Sequence, residues 1–73
     1  MPALTPGGQV ILTSAPSSLL EELPQEDQIA IQSIVGKPVT LEGFEYGQAV
    51  LEFKDAQGEY HWIWVDTDLI KPA

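Results

Sequence analysis

The chain has 73 residues, no cysteine, three lysines as its only Lys or Arg residues, and eleven carboxylates, for a formal net charge of -8. That length makes one small domain burying only about 60% of its unfolded surface, and without cysteine neither disulfides nor thiolate metal sites can brace it. Nucleic-acid binding draws its affinity from phosphates neutralised by Lys and Arg, so the charge balance argues against nucleic acid and anionic membranes and for a partner that is neutral or basic.

In chain order, the N-terminal MPALTPGGQ has neither the basic run nor the long apolar run of a signal peptide or membrane anchor. No window approaches the roughly 18 apolar residues of a membrane span, and a cytoplasmic protein is expected. Two prolines and two glycines within residues 1 to 8 predict a disordered N-terminus, leaving 9 to 73 as the single domain. Gln9 to Thr13 is a short β-branched run and the first predicted strand. Ser18 and Glu21 form a capping-box pattern for one turn of helix from Leu19 to Leu23. Pro24 fits the first position of a second helix, with Glu26 and Asp27 in its anion-favouring first turn and Gly36 just past its end. Leu23, Ala30, Ile31, Ile34 and Val35 share one face of that helix, and Ile29 lies on the opposite face. From Val39 the hydrophobic period changes to two, giving the runs VTLEGF, QAVLEFK and YHWIWV. Asp66 to Leu69 reads as a tight turn that Asp66 caps through its side chain, and Leu69 to Lys71 as a last short strand.

The loops between the three runs decide which face is core. Phe44-Glu45-Tyr46-Gly47-Gln48 and Asp55-Ala56-Gln57-Gly58-Glu59 each place glycine third of three loop residues. That is the pattern of a type I turn followed by a left-handed glycine and a G1 bulge. Phe44 then pairs with Gln48, and Asp55 with Glu59. Counting back, one face collects Val39, Leu41, Ala49, Leu51, Phe53, Ile63 and Val65, with His61 turned inward beside Phe53. The other collects Thr40, Glu42, Val50, Glu52, Lys54, Tyr60, Trp62 and Trp64, and so takes every charged residue of the paired strands. A four-residue second loop slips the register by one and buries the tryptophans instead.

Five short strands, with a three-stranded meander, a tight turn and a brief last strand, resemble an SH3-like barrel. The closer likeness is to small bacterial SH3-like domains. It covers residues 9 to 71 and rests on element order and turn spacing. The resemblance implies a mainly β fold, a five-stranded barrel whose first strand pairs with the last and whose helix is inserted between strands one and two. The ALYDY-type stretch of peptide-binding SH3 domains has no counterpart in GQVILTSAP, so proline-rich peptide binding does not transfer, and fold alone assigns no function.

The chemistry-bearing residues are few. His61 is the single histidine, with Asp55 or Glu59 within plausible reach, and reads as a half-buried residue closing the end of the barrel rather than as an acid–base catalyst. Asp66, Asp68 and Glu45 lack the glycine-shaped loop of a calcium site. No catalytic residue, metal or cofactor is expected. What remains is the outer face, where Tyr60, Trp62 and Trp64 with Glu42 and Glu52 suit a protein or peptide presenting apolar and basic groups. The helix from Pro24 to Val35 could lie over this same face or cap the open end of the barrel. The expected function is a non-catalytic protein-interaction module or small accessory subunit. The alternative is an acidic inhibitor or immunity-type protein blocking a basic partner through charge, and a homodimer through the tryptophan face satisfies the same pattern.

Overall fold

In the computed structural model, which describes residues 4–73, the chain runs through β1 (Gln9–Leu12), α1 (Ser17–Leu20), α2 (Gln25–Ile34), β2 (Pro38–Glu45), β3 (Gln48–Lys54) and β4 (Tyr60–Val65). A 3-10 turn at Thr67–Leu69 and β5 (Ile70–Pro72) follow. The strands form one antiparallel sheet in the order β4-β3-β2-β1-β5, and among the described residues no pairing joins its two edges. The first strand pairs with the last as expected, through Val10 with Pro72, Ile11 with Lys71 and Leu12 with Ile70. What the sheet supports is therefore the coarser architecture: five antiparallel strands with helices between the first two. No described helix is long and apolar enough to cross a membrane.

Of the terminal segment 1 to 8, residues 1–3 lie outside the described residues. Gly7 donates its N–H to the Leu41 carbonyl at 2.7 Å, and Leu41 donates to Gly8 at 2.9 Å, so the segment's end is tied to β2.

The inner face of the sheet is closed by α2. Ala30, Ile31 and Ile34 join Val10, Leu12, Val39, Leu41, Ala49, Leu51, Phe53, Ile63, Val65 and Ile70 in one buried cluster. Leu23 and Val35 pack at its margin and Ile29 is left exposed, as the helical stripe requires. The helix starts and stops differ from expectation. Pro24 sits at φ -56°, ψ 152°, so it is the N-cap of α2 rather than its first helical residue. In α1 the capping box does not form: the turn begins at Ser17, and the Pro16 carbonyl accepts from Leu19 and Leu20. Gly36, at φ +82°, follows α2 in the left-handed position.

The two hairpins close differently although their sequences look alike. In the second, Asp55 N–H donates to Glu59 at 2.8 Å and Gly58 N–H to Asp55 at 3.1 Å, across the expected three-residue loop. The Asp55 carboxylate also accepts from the backbone N–H of Gln57 and of Glu59, which favours the type I turn. Phe44 offers no such acceptor, and the first hairpin closes on two residues instead. Glu45 pairs with Gln48 and Phe44 with Ala49, correcting the expected Phe44–Gln48 pair, while Tyr46 and Gly47 take φ values of 53° and 75° as a type I′ turn requires. That tighter loop shifts β2 by one residue, and a bulge between Leu41 and Gly43 shifts it back. Leu41 therefore still faces Leu51, as counted from the longer loop.

Gly58 lies at φ +86°, and a Cβ built on it meets nothing within 4 Å. Gly58→Ala should therefore cost backbone strain alone, about 1 kcal/mol in urea denaturation, with Gly58→Asn costing less.

Candidate functional site

The β3–β4 ladder is regular, pairing Val50 with Trp64, Leu51 with Ile63, Glu52 with Trp62, Phe53 with His61 and Lys54 with Tyr60. Directly opposed residues share a face, so the buried Ile63 and Val65 turn inward and the three large rings turn outward. Tyr60, Trp62 and Trp64 are 54%, 52% and 42% exposed, with α2 against the opposite side of the sheet. Val50, though on this outer face, is only 7% exposed, lying in register between Gly43 and Trp64.

Carboxylates fix the rings. Trp62 donates its indole N–H to Glu52 at 3.0 Å, and Trp64 donates to Glu45 at 3.3 Å. Tyr60 stacks on Trp62 with ring centroids 6.1 Å apart, and the Lys54 ammonium lies 5.2 Å from the Tyr60 centroid. The neighbouring Glu52 carboxyl raises Glu42 above the ordinary glutamate value, first by hydrogen bonding that favours its protonated form and then by like-charge repulsion. The face thus carries an aromatic row along β4 and a carboxylate row beside it, one lysine marking the end nearest the second hairpin. Glu45 belongs to this set although its expected place was in a loop; the type I′ turn puts it in the strand.

His61 lies on the other face and is held from both sides. One ring nitrogen, Nδ1, is 2.9 Å from Asp27 of α2, and Nε2 is 2.8 Å from Asp55 of the hairpin. The ring stacks on Phe53 at 5.4 Å and its side chain is 13% exposed. The Asp55 hydrogen bond outweighs burial and, with the Asp27 contact, raises the imidazole above its ordinary value; in the protonated form each nitrogen donates to one of the two carboxylates. The same bond, with the backbone donors of Glu59 and Gln57, lowers Asp55. The two contacts brace α2 against the β3–β4 hairpin. Asp55 was within reach of the sequence reading; Asp27, 34 residues away in the chain, was not, because pairing across that distance leaves no local pattern.

At the far end of the sheet Asp66 does not cap the 3-10 turn through its side chain; it accepts instead from Gln48 at 3.4 Å. Among the described residues no three His, Cys, Asp or Glu side chains gather as a metal site would require. Comparisons with protein-family models, with curated proteins and with solved structures return no match for this chain.

Proposed function

We propose that the outer face of β3 and β4 is a docking surface, and that the chain is a non-catalytic interaction module or small accessory subunit. The occupant it fits is a protein or peptide segment presenting Lys or Arg beside apolar side chains. One observation carries the reading: three half-exposed aromatic rings and the carboxylates Glu42, Glu45 and Glu52 share a face that α2 leaves uncovered. Aromatic rings gain most from desolvation and from cations laid over them, and the carboxylates supply the complementary charge. A strand order with β1 beside β5 and helices in the first connection supports placing the fold in the SH3-like class.

The test is selection from a displayed random-peptide library on the immobilised protein. Enriched peptides should combine basic and apolar residues, and Trp62→Ala or Trp64→Ala should each weaken their binding about 30-fold, as hot-spot truncation does. Enrichment indifferent to both substitutions overturns the aromatic face. If binding is also lost steeply with added salt, a charge-based inhibitor replaces it.

A further inference from the structure

We propose that the free edge of β4 takes up an extended partner segment as a sixth antiparallel strand, with basic and apolar residues alternating along it. This rests on the docking reading above and specifies its mode. The hydrogen bonds that close the second hairpin make Asp55 and Glu59 a bonded pair. Antiparallel ladders alternate bonded and non-bonded pairs, so Lys54–Tyr60, Glu52–Trp62 and Val50–Trp64 are non-bonded. The backbone N–H and C=O of Tyr60, Trp62 and Trp64 therefore point away from β3, toward the edge where no described strand pairs. The residues that present their rings on the outer face are also the residues that present their backbone on the edge.

The two edges of the sheet are unlike. β5 is three residues long and carries Lys71 and Pro72, both of which discourage strand addition. β4 has six residues in unbroken register, with no lysine, proline or bulge. Alongside it runs a cleft of about 420 Å³, bordered by Trp62 and Trp64 on one side and by Leu19 and Leu23 on the other, with Ile63 between. An added strand sets alternate side chains beside the tryptophan rings, within reach of the carboxylates Glu45 and Glu52 that the indoles hold in place. The intervening side chains turn toward the cleft, where Leu19 and Leu23 offer apolar contact beside the carboxylate of Glu22. Main-chain bonds then supply affinity and the alternation supplies specificity. A second copy fits poorly, because it brings another net charge of -8 and its own row of carboxylates to the same edge.

The probe is a capped seven-residue peptide of alternating lysine and valine, titrated into the full chain and followed by indole fluorescence and amide hydrogen exchange. Saturable binding should slow exchange at the Tyr60, Trp62 and Trp64 amides, which exchange fast in the free protein. N-methylation on the lysine nitrogens, which face β4, should weaken binding about 30-fold, the loss of two or three backbone hydrogen bonds. N-methylation on the valine nitrogens should leave it nearly unchanged. Binding that shifts the indoles but is indifferent to which nitrogens are methylated overturns strand addition while leaving the docking face standing. Absence of binding overturns the strand-addition mode, and the library selection then decides the face separately. Concentration-dependent protection of the same amides without peptide assigns the edge to a second copy and also overturns the proposal.

Discussion

Replacing Ile31 by alanine should destabilise the protein by about 2–4 kcal/mol, whereas Ile29→Ala should stay within about 0.5 kcal/mol of wild type. The two isoleucines are two positions apart on α2 and face opposite ways: Ile31 is fully buried against the inner sheet face and Ile29 is 60% exposed. A chain of this length has roughly 4–11 kcal/mol of total stability, so the first substitution removes a large fraction of it. Urea unfolding of both variants measures the difference. Equal losses would mean that α2 does not lie on the inner face, and the freedom of the tryptophan face would go with it.

His61→Ala should lower stability by about 2 kcal/mol near pH 6, the range expected for hydrogen bonds to charged partners with partial solvent access. The loss should depend on pH in a defined direction. A raised imidazole value means that the folded state holds the proton more tightly than the unfolded chain. Its contribution is therefore whole below the ordinary value of 6.5 and is lost as pH rises through the raised one. Asp55 acts in the opposite sense: its contribution is whole above the ordinary 3.8 and is lost as pH falls through the lowered folded-state value. Glu42, being raised, favours folding as pH falls through its own range above 4.5. The gap between wild type and His61→Ala should be widest between about pH 4 and 6.5 and narrow above it. A gap that stays constant from pH 5 to pH 9 would remove the imidazolium brace and leave His61 as packing against Phe53.

How much of this was legible follows from where the signals are local. Period-two alternation and the Asp55-Ala56-Gln57-Gly58 loop determine the β3–β4 register because the aspartate, the glycine and the pleat all act within a few residues. The same logic misread the first hairpin, since a glycine in third place does not distinguish a three-residue type I loop from a two-residue type I′ loop. The distinguishing residue is the first, where Phe44 lacks the acceptor that Asp55 has. Gly43 inside a strand was a further sign, of the bulge that restored the register. Those two departures cancelled, so Leu41 still faces Leu51 and the start of β2 keeps its expected face; the outward tryptophans depend only on the second loop, which was read correctly. The Asp27–His61 pair and the choice of sheet face for α2 depend on tertiary packing and left no local trace. The unequal edges were legible in Lys71 and Pro72, but only the strand order gives those residues that meaning.

Both tryptophans of the chain lie on the outer face, so intrinsic fluorescence reports on that face without interference from the core. Acrylamide, a neutral quencher unaffected by the acidic surface, tests its accessibility directly. With the indoles about half exposed, the native protein should be quenched readily by acrylamide, to a substantial fraction of the quenching of the chain in concentrated urea, and equally at every protein concentration tested. Blue-shifted emission that resists acrylamide would mean that the rings are covered, and no partner could then dock on them.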